Sequence, residues 1–577
     1  MAKALILGDD TRAFLSAVRS LGRQGITVDV IPSNWASPAL RSRYIHQTLR
    51  LTDMNLDPAA WQAGLVATIT TGNYDFILPC ADNMVVAMQL CRDQLPTKNL
   101  AMVSRSAFDV LFDKINTREL AAECNVPVAM GRQLRQEDDA ATLVQQLGLP
   151  LAIKSRSSVF ERALGRRHAV AICRNLEQVK EALAHIDSPE DFLAEALFSG
   201  GGLGVSILAH QGRILQAFQH IRVNESLTGK GSYYRKSVPL DPLLLTHVEA
   251  ICAKTALTGL AMFEFCRNRT TGKTILLEVN ARPWGSLPLA IAAGVDFPYL
   301  YYRLLFDAVE EPRRAVAAGV YCRNVTADAN SLIDALSSFS LGVPKMAVMA
   351  NVTHRIVGLW RLALGQDKVD VAAQDDPAPA AADWRDYWQA WRDRLAPRIG
   401  LLGRYFRHQE QRRFAQLVAA NKGSFRKILV LCRGNICRSP YAEARLAQML
   451  SEQGASIVVT SAGTQPQPGR PVPVAGLEAA QKMGIDLTKH RSTFVAQIDL
   501  STYDLVVHFD PLIEFEYRKL VGFDTPPLFN LAYFNVGSPP STQIKDPIDK
   551  PIGYFIRTYQ TIDAALKQFV HQIPRSI

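Results

Sequence analysis

A cysteine closes an apolar run and an arginine follows six residues later in KILVLCRGNICRSPYAEARL, residues 427–446. Ile428 to Leu431 read as a buried strand and Arg438-Ser439-Pro440 opens a helical pattern, so Cys432 starts a tight strand-to-helix loop. A loop in that place turns successive backbone N–H groups inward, and the helix dipole adds partial positive charge, which makes an anion cradle. A thiol at the start of such a cradle loses its proton readily and becomes a nucleophile. Arg438 supplies a planar fork that grips two oxygens of a phosphoryl group. Ser439 can donate to the sulfur, Asn435 can pin the loop through its amide, and Gly434 is expected to permit the sharp turn.

A second set of chemistry-bearing residues lies in GLAMFEFCRNRTTGKTILLEVNARPWGS, residues 259–286. Two strands flank the turn NRTTG, and Glu264 and Glu278 are nearly symmetric about it, so an antiparallel hairpin makes them cross-strand neighbours. Each sits among apolar residues, where two unpaired carboxylates would repel and be poorly solvated. A divalent cation between them removes the problem, and Asn280, two residues beyond Glu278, points to the same face. Hard oxygen ligands suit Mg2+ (or Mn2+), with nucleotide phosphates completing the shell; Arg282 follows on the same side and can meet a phosphate. Upstream, Lys154 lies inside the apolar strand of LPLAIKSR, a costly place for a lysine unless an anion faces it. Lys114 opens the helix of LFDKINTRELAAE, and Glu195 ends an acidic strand. After Glu195 comes a glycine run (Gly200, Gly201, Gly202, Gly204) expected to be flexible, and SLTGKGSYYRKSV, residues 226–238, is expected to be a mobile basic loop.

The elements that must position these residues fall into blocks. Residues 1–105 alternate strand and helix (ALIL, DTRAFLSAVRSLGRQG, ITVDVI, DFILPC), a βαβ pattern that implies a parallel sheet. One glycine, Gly8, follows the first strand, which is not Gly-x-Gly-x-x-Gly, and no dinucleotide site is read from it. Residues 106–310 are strand-rich with helices, residues 311–426 read as a helical connecting region marked by AAQDDPAPAAAD, and residues 427–577 form a compact α/β domain. The fold class is therefore a multidomain mixture of α/β and α+β units. A length of 577 residues agrees, since a prior of about 150 residues per domain suggests three or four units.

The loop CRGNICRSP resembles the phosphate loop of the low-molecular-weight protein tyrosine phosphatases. The resemblance extends over 427–577 through TSAGT (460–464), AAQKMGIDLTKHRSTF, YDLVVHFD, Asp546-Pro547 and a long final helix. It implies a small parallel sheet of four strands and a phosphocysteine mechanism without a metal. Cys432 attacks phosphorus, Asp546 protonates the leaving oxygen and then activates water, and Arg438 with the loop amides stabilises the transferred charge. It also implies that Cys437 can form a reversible protective disulfide with Cys432. The pocket walls depart from the family. Arg433 stands where an aliphatic residue is usual, Ile548-Asp549 follow Asp546-Pro547 where aromatics are common, and TQPQPGRP carries no aromatic. We therefore expect a substrate other than a phosphotyrosine peptide, or one read through charge.

Residues 1–310 resemble the ATP-grasp superfamily of carboxylate–amine ligases. That resemblance implies a Rossmann-like leading domain and two lobes that clamp ATP. It implies that Lys114 and Lys154 contact phosphates, and that Glu195 touches adenine or ribose. Glu264, Glu278 and Asn280 would hold Mg2+, and Arg282 with Arg235 the γ-phosphate or an acyl phosphate. The expected partners are ATP, a small carboxylate and an amine upstream, and a phosphorylated protein or small phosphate ester downstream. The leading reading is a bifunctional ligase and phosphatase; the second is a phosphatase regulated by a non-catalytic ATP-binding module.

Composition bounds these readings. With 48% hydrophobic and 20% charged residues the chain reads as globular, and it holds no apolar run of about 18 residues that would suggest a membrane span. Nine scattered cysteines and a leading segment without signal-peptide layout imply a cytoplasmic protein. The net charge of +10 is concentrated: Trp384 to Lys427 holds eleven Lys plus Arg against Asp386, Asp393 and Glu410. That local patch argues against a nucleic-acid partner. Trp384, Trp388 and Trp391 share one helical face, and the upstream stretch with Lys345, Arg355 and Arg361 is also amphipathic. The segment either lies peripherally on an anionic membrane surface or docks its aromatics onto the flanking domains.

Overall fold

A computed structural model of the chain describes residues 2–54, 57–95, 100–160, 163–167, 170–225, 232–310, 314–330, 358–395, 400–421, 424–523, 525–535 and 541–573. Two compact units form, one from Met1–Pro32 with Pro38–Asp383 and the other from Ser33–Ser37 with Trp384–Ile577.

The first unit opens with four parallel strands in the order Ile45–Thr48, Thr27–Ile31, Lys3–Leu7, Phe76–Pro79. The inner strands are almost wholly buried; the one buried acid among them, Asp29, is met by the Lys3 ammonium at 3.0 Å and the Tyr74 hydroxyl at 2.9 Å. Helices follow from local signals: Asp57 caps Pro58–Gly72 through Ala60 N with Pro58 at the first position, and Asn73 closes it in the left-handed region. At the helix after the first strand, Asp10 accepts from the backbone N–H groups of Arg12, Ala13 and Phe14 at 2.6–3.0 Å. A carboxylate of the chain thus occupies the helix end that would cradle a pyrophosphate, in keeping with the absent Gly-x-Gly-x-x-Gly.

An antiparallel sheet of four strands follows, ordered Gly131–Gln133, Phe192–Ala196, Leu151–Ser155, Ala171–Cys173. A seven-stranded sheet completes the unit: Thr274–Asn280, Gly259–Arg267, Gly201–His210, Arg213–Glu225, Ser232–Val238, Tyr321–Arg323, Asp367–Val369. Two expectations are corrected here. Gly201, Gly202 and Gly204 are not a flexible loop but part of a central strand, Gly204 paired on both sides and Gly201 and Gly202 paired with Arg267 and Cys266. The physical reason is close approach: a Cβ on Gly204 would run into the His220 ring, and one on Gly200 into the Arg267 backbone. Likewise Ser232–Val238 of the expected basic loop is a strand, while residues 226–231 lie outside the described residues.

The second unit is built on four parallel strands ordered Val458–Gly463, Lys427–Cys432, Leu505–His508, Leu528–Asn530. Helix Arg438–Glu452 and the final helix Ile552–His571 pack together, with the Tyr441 and Tyr559 rings stacked 3.9 Å apart. The region 311–426 is no free-standing connector. Strands Tyr321–Arg323 and Asp367–Val369 join the first unit's sheet. Helix Gly400–Ala420 inserts Phe414, fully buried, against Phe529, Phe534 and Phe569 of the second unit. On helix Ala378–Leu395 the three tryptophans surround Tyr387; Trp384 and Trp388 stay 40% and 63% exposed. Lys345 and Arg355 lie outside the described residues. Among the described residues no helix is long and apolar enough to cross a membrane.

Substituting Gly204→Val should force the His220 ring off its seat on the strand and cost about 1–3 kcal/mol of stability. The denaturant midpoint of the full chain reads this; a parental midpoint would show that the glycine is not there for close approach.

Candidate functional sites

Lys114 is the first residue of helix Lys114–Glu123, whose start Asp113 caps by accepting from Ile115 N and Asn116 N. Its ammonium bonds Ser158 Oγ at 3.4 Å and lines a cleft shared with Asp82, Arg118, Glu278 and Asn280. Burial pushes the Lys114 ammonium down, and Glu278 opposes that most strongly, followed by Asp82 and Glu195 against a repulsive Lys154. Lys154, buried in strand Leu151–Ser155, does meet an anion, but the anion is Glu195: Nζ lies 2.6 Å from Oε1, and Arg118 holds the other oxygen at 3.2 Å. The strands Leu151–Ser155 and Phe192–Ala196 run side by side, so the pair is cross-strand.

Glu264 and Glu278 are direct register partners on adjacent antiparallel strands. Each carboxylate is met by a group of the chain: Glu264 pairs with Arg222, and Glu278 accepts from the neutral amide of Asn280, Nδ2, at 3.1 Å. Burial alone would raise Glu278, but Lys114, the Asn280 bond and Lys154 outweigh it and hold its carboxyl below the usual range. Asn280 Oδ1 in turn accepts from Arg282 at 3.2 Å, and Arg282 forms a two-pronged pair with Asp82. Two carboxylates and an amide oxygen on one sheet face, flanked by cations, form a donor set that fits a hard divalent ion.

Arg235 behaves differently from the expectation. It is 2% exposed, and its two terminal nitrogens are committed to Asp370 and to the carbonyl of Gly285. Asp370 is itself buried and requires a cation, which the Arg235 guanidinium supplies. Beside it His220 is buried, and desolvation with Arg235 and Arg222 pushes its imidazole down to about 3, so it is neutral.

In the second unit Cys432 ends its strand 1% exposed. Asn435 N reaches its sulfur at 3.2 Å and Ser439 Oγ at 3.0 Å. Arg438, first residue of helix Arg438–Glu452, donates from Nη1 to Asp510 at 2.6 Å and to Ile544 O at 2.9 Å, and from Nη2 to Asp546 at 2.6 Å. Burial opposes its charge, but Asp546, Cys432 and Asp510 outweigh this and raise it. Cys432, Arg438 and Asp546 thus come together, although Asp546 lies 108 residues from Arg438. Cys437 is buried, its thiol free and pushed up chiefly by desolvation. The turn is made otherwise than expected: Asn435, not Gly434, takes the left-handed backbone at φ 51°. Its amide donates to Ser439 Oγ and Ser461 Oγ and accepts from Thr493 N at 2.7–2.9 Å, and its carbonyl meets His490 Nε2. Gly463 is needed alongside, since a Cβ there would sit 2.9 Å from Arg433 O.

Sequence reasoning missed Asp82, Arg118 and Arg222 upstream. Downstream it gave no role to Asp510, the acid ending YDLVVHFD, or to His490 in its turn, though both segments were singled out.

The family model "Low molecular weight phosphotyrosine protein phosphatase" matches residues 427–577, and the model "ATP-grasp in the biosynthetic pathway with Ter operon" matches residues 188–327. The chain is 32% identical over 146 residues to a probable low molecular weight protein-tyrosine-phosphatase of Ralstonia nicotianae, covering 25% of this chain and 94% of that one. It is 29% identical over 218 residues to a D-alanine–D-alanine ligase of Alkalilimnicola ehrlichii, covering 34% and 65%. Among solved structures, N5-carboxyaminoimidazole synthetase from Staphylococcus aureus with ADP is matched at a TM-score of 0.46 and 15% identity, over 58% of this chain and 84% of that one.

The Asn435 backbone and side chain can be tested apart. Asn435→Gly keeps the left-handed turn but loses three bonds; Asn435→Ala loses the bonds and strains the backbone by roughly 1–2 kcal/mol more. Phosphatase activity should fall in the order parent, Gly, Ala. Equal losses would show that the turn itself carries no strain.

Proposed function

The chain belongs, through residues 427–577, to the low-molecular-weight phosphotyrosine protein phosphatase family and carries an ATP-grasp domain upstream, and from that premise we propose a bifunctional enzyme. It couples a carboxylate to an amine with ATP in the first unit and hydrolyses phosphomonoesters in the second.

The phosphatase half is carried by the Cys432 sulfur receiving bonds from Asn435 N and Ser439 Oγ beside an arginine that also holds Asp546. A phosphoryl dianion entering the loop competes with Asp546 for Arg438. Its oxygens take the guanidinium and the loop amides, and the carboxyl is released toward the leaving group. The Cys432 thiolate attacks phosphorus, the P–S bond forms as the P–O bond breaks, and Asp546 gives its proton to the departing oxygen. Asp546 then takes a proton from water, which attacks phosphorus, expels the sulfur and yields inorganic phosphate. These residues suffice for the chemistry.

The ligase half is carried by the direct pairing of Glu264 with Glu278 at the edge of a cleft that also holds Lys114. Lys114 and Lys154 would meet the phosphates of ATP, with Glu195 fixing Lys154. Glu264, Glu278 and Asn280 would hold Mg2+ or Mn2+, which screens charge on the transferred phosphoryl group. Arg282 faces the same group. The γ-phosphoryl moves to a carboxylate oxygen, and an amine then displaces phosphate to leave an amide, ADP and phosphate.

Two experiments check this. Asp546→Asn should lower turnover of phenyl phosphate by about 10²–10⁴ and affect a p-nitrophenyl ester much less, because a good leaving group does not need the acid. Equal losses on both esters would remove Asp546 as the proton donor. Glu264→Ala and Glu278→Ala should each cut carboxylate- and amine-dependent ADP release by at least about 100-fold, the scale of losing one fixed transition-state stabiliser; unchanged release refutes the metal assignment.

A further inference from the structure

Arg433 follows the nucleophile directly, and its side chain is half exposed while its backbone is locked: its carbonyl accepts from Gln465 N at 3.0 Å. Its Nε donates to Glu516 Oε1 at 3.1 Å, and the other oxygen of Glu516 accepts from Thr464 Oγ1. Glu516 lies on helix Pro511–Val521, whose cap, Asp510, holds Arg438. One helix therefore fixes both the arginine inside the loop and the arginine at its lip. Among the described residues the terminal nitrogens of Arg433 have no partner. Nearby, Arg470 is pinned by Gln467 O at 3.2 Å and Gly434 O at 3.0 Å, with Nη1 likewise without a partner among the described residues.

An exposed ion pair contributes little to stability, so the Arg433–Glu516 contact is not explained by folding. Its effect is to hold a guanidinium in one orientation before anything binds, which removes the ordering cost of a later contact. A fixed fork with two open N–H groups is matched by a carboxylate or a phosphate. The rest of the lip offers no aromatic slot at the family's usual positions: Ile548 and Asp549 follow Asp546-Pro547.

Resting on the phosphatase reading above, we infer that Arg433 is a specificity-determining residue, and that the site takes phosphomonoesters bearing a second anionic group beside the phosphate that is cleaved. The second anion can come from an acidic side chain of a phosphopeptide or from a small molecule with two anionic groups; the recognising chemistry is the same.

The test uses the full chain and two matched pairs: phenyl phosphate against 3-carboxyphenyl phosphate, and a phosphotyrosine peptide with Gln against Glu next to the phosphotyrosine. The parent should prefer the anionic member of at least one pair by about 10–100-fold in kcat/KM, the scale of a hydrogen bond to a charged group. The preference should sit in KM and shrink with added salt. Arg433→Leu should bring the ratio close to one, and Arg433→Lys should restore part of it. A preference confined to one pair identifies the source of the anion. A parental ratio near one in both pairs, or a ratio unmoved in Arg433→Leu, overturns the inference while leaving the phosphatase in place. Failure of the parent to cleave any of the four, with Cys432→Ser indistinguishable from it, would instead overturn the phosphatase reading.

Discussion

Arg438 is 2% exposed, yet it meets two carboxylates and a carbonyl and stands over a buried sulfur. A charge at that depth is stable only while its partners stay where they are. Much of the second unit answers that demand. The strand delivers Cys432, the helix it enters starts on Arg438, the neighbouring strand Leu505–His508 ends near Asp510, and the segment before the final helix returns with Asp546. The first unit solves the same problem with opposite sign, setting two acids side by side and surrounding them with Arg222, Lys114 and Asn280.

These two solutions explain what was legible in the sequence. Cys432 to Ser439 form one short stretch, so their spacing announced the loop. Glu264 and Glu278 flank one turn, so symmetry announced the hairpin. The partners that hold these groups were not legible, because nothing local marks them. Arg282 meets Asp82 across 200 residues and Arg235 meets Asp370 across 135. Arg235 illustrates this: nothing in its own stretch announces the buried acid that it pairs with.

Glycine was misread for a related reason. A run of four in five positions usually signals freedom, and here most of it lies in a central strand because a histidine ring and a neighbouring backbone leave no room for Cβ. At the phosphate loop the opposite happened: the conformationally demanding position went to Asn435, whose amide ties three neighbours while its backbone turns. The alternation of strands and helices was readable from periodicity; which residue carried each constraint was set by contacts the chain makes only when folded.

Phe414 sits in the aromatic heart of the phosphatase unit, thirteen residues ahead of the point where the family resemblance begins. The packed unit is therefore longer than its recognisable sequence. A chain cut at residue 427 would leave a hollow facing Phe529, Phe534 and Phe569, so a self-sufficient phosphatase piece has to begin upstream of Gly400.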